Sequence, residues 1–179
     1  MASIFGHALA GIGIARSLIK KPGFKIFAIA VLCTIIPDAD VLGHFMGIPY
    51  HHPFGHRGFT HSVFFAVVLS AGICFFGFKE YKFFSGKKLC LFSLFLFATM
   101  SHGLLDSLTN GGLGVAYFFP FDNTRYFFPY RPIQVSPIGV KNFFSEWGIR
   151  VIKSELIWIG IPSFILYLTG IIYHKIYNR

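Results

Sequence analysis

Long apolar runs, separated by short polar clusters, make up most of this 179-residue chain. Residues 62–78 and 89–105 each form a run of 17 residues without a formal charge, and residues 156–173 form a run of 18. Because a helix rises about 1.5 Å per residue, such runs reach roughly 26 Å, close to the hydrocarbon thickness of about 30 Å. The pattern predicts three short transmembrane helices.

Two more apolar runs precede these three. Residues 2–19 are rich in glycine and alanine and carry His7 near their start, and residues 26–43 are interrupted by Pro37. Proline removes a backbone donor and disfavours helix in the residue before it, so we expect the second helix to end or kink there. The sequence thus predicts an all-α integral membrane bundle of about four to five helices, forming one domain over residues 1–179, with a loop-rich segment at 107–154.

The composition agrees with this class. Hydrophobic residues make up 54% of the chain and charged residues 13%, and the mean hydropathy is +0.62, too apolar for an ordinary soluble domain. The net charge of +9 could indicate nucleic-acid binding. The basic residues, however, lie in short clusters between the apolar runs, which favours membrane topology and argues against a nucleic-acid partner.

Polar side chains of metal-ligand type lie at the ends of the apolar runs. Asp38 and Asp40 follow Pro37, where two carboxylates near a membrane must be solvated, paired or bound to metal. His56 and His61 flank Arg57 in a stretch just before the third run; each imidazole can ligate a metal, and the guanidinium can bind an anion.

The polar residues later in the chain also lie at or between the ends of the apolar runs. His102 and Asp106 are four residues apart at the end of the fourth run, so they share one helix face. Glu155 begins the last run, and Arg125 and Arg131 lie among aromatic residues typical of a membrane interface. We expect these two arginines to hold a lipid headgroup or another anionic part of a substrate.

Alternation of five helices across the bilayer would bring these groups together. The basic turns at 20–25 and 79–88 and the tail with Lys175 and Arg179 then share one side, which the positive-inside tendency makes cytoplasmic. The His, Asp and Glu side chains named above fall at the opposite ends of their helices. We therefore expect one polar site on the non-cytoplasmic side.

Histidine nitrogens and carboxylate oxygens suit zinc, with manganese or iron(II) as alternatives, and no cysteine is positioned for a closed structural zinc site. One or two ions beside Arg57 would suit an anionic ester such as a phosphodiester. One aspartate, Asp38 or Asp40, would orient or deprotonate water, and Arg57 would stabilise negative charge. Glu155 is a further catalytic candidate.

Four segments of the chain together resemble the signature of a known protein family: Gly6-His7, Ile36-Pro37-Asp38-Ala39-Asp40, the stretch from Gly55 to Ser62, and Ser101 to Asp106 with Leu108-Thr109. They resemble the YdjM-like family of membrane-bound, metal-dependent hydrolases (LexA-regulated type). The resemblance implies a bacterial inner-membrane protein with hydrolase activity and the following metal ligands: His7, Asp38, Asp40, His56, His61, His102 and Asp106.

The alternating ligands are also loosely similar to those of the helical zinc phospholipase C proteins, which raises phospholipid as a substrate. Our expectation is a hydrolase acting on a phosphoester or phospholipid-type substrate at the membrane surface. A metal or ion transporter would use similar ligands, although near the midplane of the membrane. A non-catalytic membrane factor is the other alternative, and the oligomeric state is left open.

Overall fold

The computed structural model describes residues 1–137 and 140–177, and within them the fold is helical. Its α-helices are α1 (Ile4–Leu18), α2 (Phe24–Ile35), α3 (Val41–Phe45), α4 (Val63–Gly77), α5 (Gly86–Ser107), α6 (Val140–Phe143), α7 (Glu146–Glu155) and α8 (Ile161–Tyr177). Two short 3₁₀ segments (Ile36–Asp40 and Phe59–His61) and a π-helical turn (Leu156–Gly160) connect some of them. The described residues contain two isolated β-bridges but no β-strand, which confirms the all-α prediction.

Three continuous helical stretches are long and apolar enough to cross a membrane: Phe24–Phe45, Gly86–Ser107 and Glu146–Tyr177. The helices α1 and α4 are apolar but shorter, at 15 residues each. These five segments correspond to the five predicted runs, and they confirm an integral membrane bundle. That residues 1–179 form a single domain stays a prediction, and Arg179 lies outside the described residues.

The helix boundaries follow local chemistry. Ser3, Ser62 and Ser85 are the N-cap residues of α1, α4 and α5, and each hydroxyl accepts a hydrogen bond from a backbone N–H of the first turn. Pro37 ends α2 at Ile35, as predicted, and the chain continues as the tighter 3₁₀ turn that carries both aspartates.

The segment 107–154, predicted to be loop-rich, also contains helix in its last part, where α7 forms. Gly148, Val151 and Glu155 are spaced by three and four residues and make the buried face of α7. Because Glu146, Arg150 and Lys153 are exposed on the outer side of this helix, no long apolar run marks it. The helical spacing itself was the signal that could have revealed it.

Helix α1 packs against α2, α5 and α8. A Cβ atom at Gly13 would lie 2.7 Å from the Ser163 carbonyl oxygen, and one at Gly170 would lie 2.6 Å from the Arg16 carbonyl oxygen. Glycine at these two positions therefore lets the backbones of α1 and α8 approach closely, as in other membrane helix pairs.

The ends of the helices alternate as the topology argument predicted. At the basic end, Lys25 Nζ donates to the carbonyl of Gly77 (2.7 Å), which joins the start of α2 to the end of α4. Gly6 of α1 lies beside Glu155, whereas Gly170 lies beside Arg16, so α1 and α8 run parallel. The opposite end of the bundle therefore collects the start of α1, the end of α5 and the start of the last span.

Candidate metal centre

Two groups of ligand-type side chains lie at this end of the bundle. The first group is Asp38, His61, His102 and Asp106, and the second is Asp40, His56 and His61; within each group the possible ligand atoms lie within 4.8 Å of one another. His61 belongs to both groups. Since His102, Asp106 and the side chain of His61 have no exposed surface, the first group is buried in the protein.

The orientation of His102 follows from a backbone contact. Its Nδ1 lies 2.7 Å from the carbonyl oxygen of Thr34 on α2. A carbonyl oxygen can only accept a hydrogen bond, so Nδ1 carries the proton and Nε2 keeps its lone pair.

His61 is held in the same way from its other side. Its Nδ1 lies 3.2 Å from Asp40 Oδ2, and Thr60 Oγ1 donates a hydrogen bond of 2.7 Å to the same carboxylate oxygen. The carboxylate favours a proton on Nδ1 of His61, so in the neutral ring Nε2 is again the atom with the lone pair. The two Nε2 atoms of His61 and His102 face each other at 2.9 Å.

Two lone pairs at this distance repel each other unless a proton or a cation lies with them. The nearest carboxylates supply the matching charge: Asp38 Oδ1 lies 3.3 Å from His102 Nε2, and Asp106 Oδ2 lies 3.6 Å from His61 Nε2. Neither oxygen of Asp38 makes a well-aligned hydrogen bond to any described residue, nor does Asp106 Oδ2. Buried carboxylate oxygens without partners are costly, and a metal ion would satisfy them.

His7 lies beside this group rather than within it. Its ring stacks on that of His102 with centroids 3.9 Å apart, and its Nε2 lies 3.5 Å from Asp106 Oδ1. Both ring nitrogens are buried and lack a hydrogen-bond partner among the described residues. His7 is therefore available as an additional ligand after a small shift.

The electrostatics of His61 show where a positive charge is most stable. Burial alone would lower the pKa of His61, but hydrogen bonds and charges from Asp106, Asp38 and Asp40 raise it to about 10. Burial lowers the pKa of His56, because Asp40 opposes it only in part. The field of the carboxylates thus favours a cation at His61, and a divalent ion can take the place of that proton.

Asp40 differs from Asp38 in that its oxygens are already used. It accepts hydrogen bonds from His56 Nδ1 (2.7 Å), the backbone N–H of Arg57 (3.1 Å) and Thr60 Oγ1 (2.7 Å). A carboxylate that holds the outer nitrogen of a ligating histidine is a common support of metal sites. The geometry therefore gives Asp40 the position of a residue that orients His61.

Arg57 is fully buried and surrounded by protein oxygens. Its Nη1 donates to the carbonyl of Gly111 (2.8 Å), its Nη2 donates to Thr109 Oγ1 (2.9 Å), and its Nε lies 3.0 Å from Asp106 Oδ2. A substrate anion would have to compete with these partners. The expected anion-binding role of Arg57 stays a prediction that this arrangement does not favour.

The other expected site residues lie around the group. Glu155 accepts hydrogen bonds from the backbone N–H and hydroxyl of Ser3. Arg125 donates to the carbonyls of His56 and Tyr50 (2.9 and 3.1 Å). Glu155 and Arg125 are thus engaged with protein groups, and their catalytic and substrate-binding roles stay predictions.

Arg131 is exposed, with its guanidinium 4.5 Å from the centre of the Phe127 ring. Its expected role in binding substrate also stays a prediction. His44, His51 and His52 are exposed surface residues outside both ligand groups.

Sequence reasoning missed four supporting groups: Thr60, Thr109, the carbonyl of Thr34 and the backbone N–H of Ala2, which donates to Asp106 Oδ1 (2.8 Å). Thr60 and Thr109 lie inside the segments that carry the family resemblance, so their hydroxyls could have been proposed. The carbonyl of Thr34 and the N–H of Ala2 belong to the backbone, which is the same whatever the side chain, so no pattern of residue types would have indicated them.

Comparison with known proteins agrees with this picture. A family described as YdjM inner membrane protein matches residues 1–177. Inner membrane protein YbcI of Escherichia coli (strain K12) is 36% identical over 168 residues, which cover 93% of this chain and 95% of that protein. No solved structure matches the chain significantly. The matches confirm the resemblance found in the sequence and the location in the inner membrane.

Proposed function

The chain belongs to the YdjM family of inner membrane proteins, and we propose that it is a metal-dependent hydrolase that cleaves phosphoester bonds, with phospholipid-type molecules as favoured substrates. One observation carries the proposal. The Nε2 atoms of His61 and His102 face each other at 2.9 Å, beside carboxylate oxygens of Asp38 and Asp106 that make no well-aligned hydrogen bond to a described residue. Two nitrogen and two oxygen donors fit one divalent ion of the zinc type, and manganese or iron(II) accept the same donors.

The charge of the buried cluster favours one ion over two. Asp38, Asp40, Asp106 and the buried Glu155 carry four negative charges, and Arg57 and the N-terminal ammonium, which lies 4.0 Å from Asp106 Oδ2, carry two positive charges. With neutral histidines, the two remaining negative charges are balanced by one divalent ion, whereas a second ion would leave the buried cluster with an excess of positive charge. Uncompensated buried charge is strongly unfavourable, so the single-ion site is the more stable arrangement.

A bound ion of this kind supplies Lewis acidity and generates a nucleophile from water at neutral pH. The protein must then orient the water and accept its proton. Asp38 is the better candidate for that role, because its oxygens lack hydrogen bonds to described residues while those of Asp40 are occupied. Asp40 holds Nδ1 of His61 and so keeps Nε2 directed at the ion.

The position of the centre supports a lipid-type substrate. The donor residues lie near the ends of their helices, and Asp38 is the least buried of the four, so a substrate would approach the centre from the side of Asp38. The rings of Tyr130 and Trp158 lie 5.6 Å apart and are largely exposed near the start of the last span, as expected at a membrane interface. Arg131 follows Tyr130 in sequence, is exposed and can bind the phosphate of a headgroup. We place this site on the non-cytoplasmic side, following the basic turns at the opposite end.

The test begins with metal content. Protein purified in detergent is expected to contain about one divalent ion per chain; Asp38→Asn should lose it, and Asp122→Asn should keep it because Asp122 is partly exposed and belongs to neither ligand group. Wild-type protein without bound metal would refute the proposal.

Hydrolysis is then measured on phospholipid vesicles and on a soluble phosphodiester. Arg131→Ala is expected to raise KM for the phospholipid and to leave KM for the soluble ester unchanged. Metal-loaded protein that cleaves neither substrate but carries the metal across a vesicle membrane would instead establish transport.

A further inference from the structure

Arg57 has an unusual backbone conformation for its residue type. Among the described residues it is the one non-glycine residue with positive φ, at 64°. This left-handed region is unfavourable for a residue with a Cβ atom, so surrounding contacts must hold Arg57 there. Such conformations are concentrated at functional sites.

The backbone of Arg57 joins one aspartate to the outer segment 109–116. Its N–H donates to Asp40 Oδ2 (3.1 Å), and its carbonyl oxygen accepts a hydrogen bond from the N–H of Ala116 (3.0 Å). Both bonds depend on the direction that the positive φ gives to the two peptide groups.

The side chain joins a second aspartate to the same outer segment. The guanidinium Nε lies 3.0 Å from Asp106 Oδ2 as an ion pair, while Nη1 and Nη2 donate to Gly111 and Thr109. A planar guanidinium can satisfy three acceptors in different directions, and a lysine ammonium on a flexible stem cannot reproduce that arrangement.

We propose that Arg57 is a positioning residue, which sets the carboxylate of Asp106 for metal binding and, through Asp40, holds the ring of His61 in place. This inference rests on the metal centre proposed above. It assigns Arg57 to the protein framework of that centre and not to the substrate. The partners of metal ligands typically change metal affinity 10- to 100-fold when they are replaced.

Gly112 offers an independent way to disturb Arg57 without changing any charge. Its φ is +90°, and an added Cβ would lie 2.6 Å from Arg57 Nη1. Gly114 is a matched control: its φ is +85°, and an added Cβ would lie 2.9 Å from backbone atoms of Tyr126. Gly47 has a φ of +87° with nothing within 4 Å, and it reports the effect of backbone strain alone.

The experiment measures the metal Kd by competition with a chromophoric chelator, together with thermal melting of each variant. Arg57→Lys and Gly112→Ala are expected to weaken metal binding at least tenfold. Gly114→Ala and Gly47→Ala are expected to stay within about threefold of wild type, even where they lower the melting temperature.

The outcomes separate this inference from the proposed function. Wild-type protein without metal overturns both. If wild-type protein binds metal and the metal affinity is unchanged in Arg57→Lys and Gly112→Ala, the positioning role alone is overturned. If Arg57→Lys then shows a raised KM for the phosphoester substrate at unchanged metal affinity, Arg57 is established as an anion-binding residue. If Arg57→Lys does not fold, the comparison of Gly112→Ala with Gly114→Ala decides, because neither change alters a charged group.

Discussion

Replacing Asp40 by asparagine should weaken metal binding by about tenfold, although Asp40 is not expected to touch the ion. Three donors converge on Asp40 Oδ2: the N–H of Arg57, Thr60 Oγ1 and His61 Nδ1. The amide of asparagine can keep its oxygen toward them and turn its NH₂ group toward His56. Burial lowers the pKa of His56, so this ring is neutral and its Nδ1 can become the acceptor.

The magnitude follows from what the substitution removes. Asp40→Asn preserves the orientation of His61 but removes the negative charge that makes Nε2 a better donor to a metal. The effect should therefore lie at the low end of the range for such supports, about tenfold, or about 1.4 kcal/mol. Asp40→Ala also removes the anchor of the ring, and we expect it to approach the hundredfold end of that range.

The assay is competition with a chelator of known affinity at constant pH and salt. Asp122→Asn is the matched control, because Asp122 also accepts hydrogen bonds from three groups (Thr124 N–H, Thr124 Oγ1 and Tyr126 OH) but is partly exposed and belongs to neither ligand group. A Kd within twofold of wild type for both Asp40 variants, in folded protein, would refute the idea that Asp40 orients His61.

Three further predictions concern protons, metal removal and packing. Because the pKa of His61 is raised to about 10, its ring is protonated at pH 7 without metal; binding should release about one proton, and affinity should rise with pH up to about 10. Calorimetry in buffers of different ionisation enthalpy measures this, and binding without proton release would contradict it. At a metal concentration of 100 Kd, bound metal should stabilise the folded protein by roughly 2.7 kcal/mol. Removal of metal by a chelator should therefore lower the melting temperature, and adding zinc should restore it. An unchanged melting temperature argues against a buried site. Gly170→Ala should destabilise the protein by about 1–3 kcal/mol, because the added Cβ would lie 2.6 Å from the Arg16 carbonyl. Gly72→Ala, in α4 with nothing within 4 Å, should be neutral or slightly stabilising, and equal melting temperatures for the two variants would contradict the packing argument.

The sequence was informative about the metal-type residues because each one interrupts an apolar run. A buried carboxylate or imidazole near a membrane is unfavourable without a partner, so Asp38, His102 and Asp106 could be identified from position alone. Alternation of the helices was enough to predict that they meet at one end. The structure bears out this convergence for the groups Asp38, His61, His102, Asp106 and Asp40, His56, His61.

The roles within the set could not be predicted in the same way. Asp38 and Asp40 are two residues apart and have the same side chain, yet the oxygens of Asp38 are unpartnered and those of Asp40 are saturated. The difference comes from residues 56, 57 and 60, which a separate loop brings to Asp40. From the sequence, Arg57 is expected to bind an anion because it lies between His56 and His61, beside the expected metal, on the side of the membrane where positive residues are not otherwise expected.

By itself, the sequence determined the helical class, the membrane location and the identity of the polar residues, because hydropathy and helical period act locally along the chain. Only the tertiary structure decided which nitrogen of each histidine faces the centre, which aspartate has unpartnered oxygens, and that Arg57 is enclosed by Asp106, Gly111 and Thr109. These properties depend on hydrogen bonds between segments far apart in sequence. Their direction and distance are set by packing, which no local pattern encodes.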